Sequence, residues 1–280
     1  MSILNTITSS EIKTDGLRIV IAGQEKMGKT TLACGAPNAL LVPLEVGYSG
    51  VTIPKVEMLQ TYDQVKYFLD EVLHYAKLKQ FPYTSIIFDS ATALERHIHD
   101  SILAMDPAHA AKKNQVTMES ALGGYGKAYQ LANEAFLDFM RRCDILAVSH
   151  RINIILTCHV FAAKLIDPQQ GEYDSWDLLL HSPKNQKTYG KRELITQWAD
   201  IIGFLHEPIF ISRTAENVGI AMSANRGRVL GLNRTPNYTA GNRFGLNGEV
   251  SIPLVDGWNA LAQEVSKTRG IDIFNRTSKS

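Results

Sequence analysis

Nine consecutive residues, Gly23, Gln24, Glu25, Lys26, Met27, Gly28, Lys29, Thr30 and Thr31, follow an apolar run at residues 17–22 and carry the spacing Gly-x-x-x-x-Gly-Lys-Thr. That spacing suits phosphate. Glycines let successive backbone N–H groups turn inward around phosphate oxygens, and the start of a following helix adds partial positive charge. Lys29 then reaches the β and γ phosphates of a nucleotide, and the Thr30 hydroxyl is a hard oxygen ligand suited to Mg²⁺. Lys26, inside the loop, is either a further phosphate contact or a solvent-facing lysine.

Such a site needs a second carboxylate at the end of a neighbouring strand, to hold magnesium through water. Ile86, Ile87 and Phe88 lead into Asp89, an acid at the tip of an apolar run. Alone, Asp89 would also serve as the N-cap of a helix starting near Ala91. Hydrolysis further requires a group that orients the attacking water, whereas a kinase requires a pocket for an acceptor. Glu45 ends the stretch Leu40-Leu41-Val42-Pro43-Leu44-Glu45. It would face the γ-phosphate if its strand lies beside the first one, and a surface glutamate is the plain alternative.

The elements that must position these groups follow from periodicity. Short apolar runs rich in Ile and Val alternate with longer stretches of helical period, which predicts an α/β fold with a mainly parallel central sheet flanked by helices. Strands are expected at residues 17–22, 39–43, 85–88 and 152–157, and Thr61 with Gln64 forms a capping box ahead of an amphipathic helix. Tyr125, Ala128, Tyr129, Ala132, Ala135, Phe136, Phe139 and Met140 recur at three- and four-residue steps and mark the buried stripe of a long helix. Residues 198–205, 209–212, 218–222 and 229–232 read as short strands, antiparallel because their links are too short for crossover helices. The expected organisation is an N-terminal segment at 1–16, a core at 17–250, and a C-terminal helix and tail at 251–280.

The 280 residues are 45% hydrophobic and 20% charged, an ordinary globular composition that excludes a disordered or fibrous chain. Cys34, Cys143 and Cys158 are widely spaced and form no Cys-x-x-Cys pair, which argues against a disulfide framework or a cysteine-rich zinc site. No apolar run approaches the length of a membrane span and the N-terminus has no export signature, so a cytoplasmic protein without a membrane partner is expected. The formal net charge of +1 hides an uneven spread. Between His181 and Arg243 stand nine Lys or Arg against four Asp or Glu, and the rest of the chain is net negative. Such an excess belongs either to a bland surface or to a polyanion partner. His97, His99, Asp106 and His109 invite a metal reading, but His97 and His99 would point to different faces of a helix.

The phosphate loop, with its glutamate at the third position and its double threonine, resembles that of RecA-type recombinases. Asp89-Ser90-Ala91-Thr92-Ala93-Leu94 is similar to the magnesium-strand stretch of the same family. The order of parts also agrees. The resemblance implies a RecA-like P-loop core that binds ATP and Mg²⁺, with Glu45 activating water. It also implies that a polar pair senses the γ-phosphate and couples it to a DNA-binding loop. Cys158 and His159 stand at that pair, where the family has Asn-Gln, and an imidazole can still donate to a phosphate oxygen. The length, together with the stretch from Asn233 to Leu246, looks like the phage-encoded RecA-core ATPases of the AAA superfamily, which are linked to single-strand annealing and recombination. Pro43 departs from those relatives, which more often have an aspartate there.

Residues 164–192 occupy the place of that family's second DNA-contacting loop. They hold Lys164, Lys184, Lys187, Lys191 and Arg192, with Tyr173, Trp176 and Tyr189 interleaved. Cations that track phosphates and rings that stack bases are what a sequence-tolerant single-strand site requires, while a solvated loop packing its aromatics on the body is the alternative. Residues 97–124, with Lys112 and Lys113, would be the first such loop. The resemblance further implies a basic residue given in trans, for which Arg226, Arg228, Arg234 and Arg243 are candidates and Lys164 a further one, and hence a ring or filament of copies. The expectation is an ATPase of recombination in a bacterial host, working on single-stranded DNA with or without a single-strand-binding or annealing protein. A P-loop kinase and a nucleotide-switched loader or packaging protein are the alternatives.

Overall fold

The computed structural model of the chain describes residues 15–47, 50–111, 116–167, 169, 171–183, 189–213, 219–223 and 227–269. Strand β1 (Arg18–Ala22) runs into the phosphate loop and helix α1 (Lys29–Cys34), followed by β2 (Ala39–Pro43), α2 (Tyr62–Lys77), β3 (Ser85–Asp89) and α3 (Ala91–Leu103). After a short α4 (Pro107–Ala111) come α5 (Lys127–His150), β4 (Asn153–Cys158), and a hairpin of β5 (Val160–Asp167) and β6 (Gly171–Leu178). The remainder is α6 (Lys191–Trp198), β7 (Ile201–His206), β8 (Ile209–Arg213), β9 (Gly219–Ser223), β10 (Arg228–Gly231), β11 (Gly241–Asn242), β12 (Glu249–Ile252) and α7 (Gly257–Arg269).

The central sheet has the order β12-β10-β7-β1-β4-β3-β2, with β11 also paired to β7. Strands β7, β1, β4, β3 and β2 are parallel, and β10, β11 and β12 join antiparallel. The expected fold class therefore stands. Period two explains how the sheet buries both faces. Val20, Ala22, Ile86, Phe88, Ile154 and Leu156 face α2, α3 and α5, where Phe68, Phe136 and Phe139 complete one core. Ile19, Ile21, Ile87 and Ile155 face the other way, onto Leu32 of α1 and Trp258 and Leu261 of α7. The capping box of α2 forms as expected, with the Gln64 N–H donating to the Thr61 hydroxyl.

Two expectations are corrected. Trp198 ends helix α6 rather than opening a strand; the antiparallel pairing expected among the late strands holds for β7 with β10 and for β8 with β9, while β7 also lies parallel to β1 after a crossover through the hairpin and α6. Arg18 fixes that pairing by donating to Asp200 at 2.9 and 2.8 Å and to Asp144 at 3.0 Å. Tyr125 lies before the long helix and is 99% exposed, while Ala128, Ala132, Phe136, Phe139 and Met140 form the buried stripe. No helix among the described residues is long and apolar enough to cross a membrane.

Candidate functional site

The loop from Gly23 to Gly28 leaves the sheet at the carboxyl end of β1. A side chain at position 23 would meet the Leu205 carbonyl at 2.4 Å, and one at position 28, where φ is +85°, would meet Arg228 at 2.0 Å. Only glycine fits either position. None of the backbone N–H groups of residues 24–28 donates to a described residue, so they stand ready for an anion's oxygens. Gln24, Glu25, Lys26 and Thr31 are exposed and Met27 packs against the α1 core. Lys29 is buried, and its ammonium donates to the carbonyls of Gly23 at 2.9 Å and Gln24 at 2.8 Å. Burial pulls its pKa down against the charges of Asp89 and Glu45.

The Thr30 hydroxyl donates to Asp89 Oδ2 at 2.8 Å, and the Thr157 hydroxyl donates to Asp89 Oδ1. Hard oxygen atoms at the mouth of a phosphate loop are the donor set that Mg²⁺ prefers, with water filling its other positions. The residues therefore fit the ion.

Glu45 does not reach this place in the expected way. Strand β2 pairs with β3 at the sheet edge, and β4 and β3 stand between it and β1. The turn after β2 nevertheless carries Glu45 across the ends of those strands, held by a contact between His97 Nε2 and the Leu44 carbonyl at 3.0 Å. There the Ser90 hydroxyl donates to Glu45 Oε1 at 2.6 Å, His159 Nε2 lies 2.8 Å from the same oxygen, and Arg96 lies 3.9 Å from Oε2. Burial alone would raise the Glu45 carboxyl, but the hydrogen bonds from His159 and Ser90 and the charges of His159 and Arg96 hold it below its ordinary value. Glu25, Lys26, Gly28, Lys29, Thr30, Thr31, Glu45, Asp89, Arg96 and His159 share one cavity of about 590 Å³, which brings together the residues that the sequence scattered over 130 positions and more.

His159 stands at the foot of the β5–β6 hairpin. Its N–H donates to the Thr92 hydroxyl at 3.2 Å, that hydroxyl donates to the Leu179 carbonyl at 3.2 Å, and the Leu179 N–H donates back to the His159 carbonyl at 2.8 Å. Both ends of the hairpin are thus tied beside Glu45. Cys158 is fully buried and its thiol is pushed up to about 12, mainly by burial, so it stays protonated.

The expected DNA segment is not one basic loop. Lys164 is exposed on β5, opposite Asp174 of β6. Lys184 and Lys187 lie outside the described residues, as do Lys112, Lys113 and Arg226. Lys191 is completely buried as the first residue of α6, with its ammonium 3.0 Å from His99 Nε2 and 3.4 Å from Glu95, so it has no surface to offer a phosphate. Burial, with the Lys191 and His181 charges, drives His99 down to about 3, leaving a neutral ring that accepts from Lys191. Arg192 donates to Asp177 at 2.8 Å. Among the arginines expected to act in trans, Arg228 is engaged in cis, donating to the carbonyls of Met27 at 2.9 Å and Pro253 at 3.0 Å. Arg243 pairs with Asp200 at 3.3 Å, and Arg234 is exposed with no hydrogen bond or ion pair to a described residue. The metal reading of His97, His99, Asp106 and His109 fails. His97 and His99 are engaged as above, Asp106 accepts from the Ala108 N–H at 2.7 Å, and no cluster of His, Cys, Asp or Glu suited to a metal occurs among the described residues.

Three functional groups escaped the sequence reading. Thr157 is a hydroxyl at the end of an otherwise apolar strand, in register with Asp89. Thr92 and Arg96 are four apart on α3, the spacing of one helical face, and both turn toward the site. That spacing, following the Asp89-Ser90 start, was the available signal.

No curated protein matches the chain in sequence. A protein-family model described as an AAA domain matches residues 15–244, which takes in the phosphate loop, Glu45, Asp89, His159, the hairpin and the whole parallel part of the sheet. The chain belongs to this AAA-domain family, a group of P-loop ATPases with an α/β core.

Proposed function

We propose that the chain binds ATP with Mg²⁺ in the cavity between the phosphate loop and Asp89, hydrolyses it with Glu45 as the base that orients water, and uses the cycle to act on single-stranded DNA. The hydrogen bond from His159 to Glu45 at 2.8 Å is the observation that carries the hydrolytic part of this reading, because it holds the carboxylate beside the phosphate loop and joins it to the foot of the hairpin, while the DNA part rests on the resemblance to RecA-type recombinases. A γ-phosphate arriving between Lys29 and His159 competes for that imidazole, and the hairpin moves with it. Lys29 supplies the charge for the β and γ phosphates and Thr30 and Asp89 hold the metal, which when bound neutralises charge on the transferring phosphoryl group. A carboxylate held in its ionised form beside the phosphate site is able to orient a water and take its proton. The exposed Arg234 is the candidate to complete a neighbouring copy's site, which makes the working form a ring or filament.

Hydrolysis measured with and without single-stranded DNA, and repeated for Glu45→Gln, tests the reading. Stimulation by DNA with loss in the variant is expected. A rate indifferent to DNA, in a protein that does not bind it, would remove the DNA part. Phosphate release that persists in Glu45→Gln would remove the role of Glu45 alone.

One observation favours a second reading, a nucleotide-switched loader whose target is a protein. The hairpin carries Lys164 against Asp167, Glu172, Asp174 and Asp177, an acidic balance unsuited to phosphates. Capture of a basic protein segment by the hairpin, with hydrolysis unmoved by DNA, is its signature.

A further inference from the structure

Residues 74–84, His-Tyr-Ala-Lys-Leu-Lys-Gln-Phe-Pro-Tyr-Thr, interleave basic and aromatic side chains and contain no acid. They form the exit from α2 into β3, at the opposite end of the sheet from the nucleotide cavity. Helix α2 is capped at Leu78, and Lys79 follows in the left-handed conformation at φ +57°. Helix α5 closes beside it with Arg151 in the same conformation, again at φ +57°. Glycine or asparagine usually fills such a position, since a larger side chain is strained there. Two long cations occupy it instead, and both line one cavity of about 330 Å³ with Phe81, Tyr83, Thr84 and His150. No acid lines the cavity, and neither Lys79 nor Arg151 forms an ion pair with a described residue. The Phe81 and Tyr83 rings meet edge to face at 5.5 Å, half-buried against the α2–α5 core and half open to the cavity.

Helix dipoles account for a cation near each helix end. They do not account for the ring pair between the cations or for an acid-free lining. Unpaired cations flanking half-open rings are what single-stranded nucleic acid uses, phosphates on the cations and a base against a ring, and an acidic peptide would leave the rings without a role. We propose that this cavity is a contact site for single-stranded DNA, which rests on the DNA-coupled reading above and gives the strand a place that the acidic hairpin and the buried Lys191 do not. The strand is held at the amino ends of β3 and β4 while nucleotide is turned over at their carboxyl ends.

Binding of a labelled oligothymidylate to the full chain tests the site. Lys79→Glu with Arg151→Glu is expected to weaken binding tenfold or more at low salt and to flatten the salt dependence of log affinity by about 0.7 for each lost contact. Phe81→Ala is expected to lose roughly tenfold, the stacking of one base. Basal ATP hydrolysis stays unchanged in both. Ultraviolet cross-linking of the unaltered chain, which does not depend on any variant folding, should join the oligonucleotide to the peptide holding Phe81 and Tyr83. If the oligonucleotide binds, but the variants bind as tightly and the cross-link falls elsewhere, the site is overturned and the DNA-coupled reading survives. Failure of the unaltered chain to bind any single strand overturns both. Displacement by polyglutamate at equal charge overturns the nucleic-acid assignment.

Discussion

The guanidinium of Arg228 grips the carbonyl of Met27 at 2.9 Å from behind the phosphate loop. A peptide is planar with its C=O and N–H opposed, so a carbonyl held outward turns the N–H of Gly28 toward the phosphate side. Arg228→Ala releases that peptide and is expected to raise KM for ATP about tenfold, the loss of a charge-assisted hydrogen bond of ~1.5 kcal/mol. Arg228→Lys, which keeps one donor, should recover part of it. Steady-state kinetics across ATP concentration decide the matter, and an unchanged KM in the alanine variant would show that the loop keeps its shape unaided.

As the proposed base, Glu45 acts only when ionised, and its neighbours hold its carboxyl below the ordinary value. The acid limb of kcat/KM, which reports the free enzyme, therefore lies below the usual glutamate range near 4.3, and this parameter is level through neutral pH as far as this group is concerned. His159→Ala removes the strongest of the groups that lower it and leaves burial, which raises it, so the limb moves up. A pH–rate profile of the two proteins reads the shift directly; coincident limbs would detach His159 from the titration. Glu45→Gln should cut kcat by about 10²-fold or more while ATP still binds.

Lys191 and Glu95 are a buried pair at 3.4 Å, with the His181 N–H donating to Glu95 at 2.8 Å. Burial pushes Lys191 down and Glu95 up. Lys191→Met leaves a buried carboxylate without its cation and should cost about 3 kcal/mol, lowering Tm by roughly 10 °C. Adding Glu95→Leu should restore most of the loss. Thermal melts of the single and double variants check this, and a double variant no better than the single one would contradict it.

Metal removal should abolish turnover, and Mg²⁺ should restore it. Thr30→Ala, which deletes one proposed ligand and the 2.8 Å bond to Asp89, should raise the Mg²⁺ concentration for half-maximal rate several-fold while the fold holds. Titrating Mg²⁺ against rate in both proteins measures the change, and superimposed curves would exclude Thr30 as a ligand.

Local rules made much of this legible in advance. The phosphate loop, the tip of β3 at Asp89 and the Thr61–Gln64 capping box depend on residues within a few positions of each other, so their spacing carries the geometry. Partners far apart in the chain were hidden. Nothing near Lys191 announces that Glu95 and His99 neutralise and bury it, nothing near Arg228 points to Met27, and the pairing of β7 with β1 depends on a crossover through the hairpin and α6. Glu45 lines the cavity by a route the sequence did not show. Its strand is at the sheet edge, and the turn rather than the strand order delivers it to His159 and Ser90.

The Thr92 hydroxyl receives the His159 N–H and hands its own proton to the Leu179 carbonyl, so the chain leaves for the hairpin and returns from it at a single point on α3. The base of the hairpin is braced a second time on β6, where the Trp176 N–H donates to the Asn237 carbonyl at 2.8 Å, the Thr239 N–H donates to the Trp176 carbonyl at 2.9 Å and Arg192 donates to Asp177 at 2.8 Å. A displacement of His159 therefore meets a hairpin clamped on two sides, and its load passes into the segment at 237–239 and into α6 as well as along the two strands.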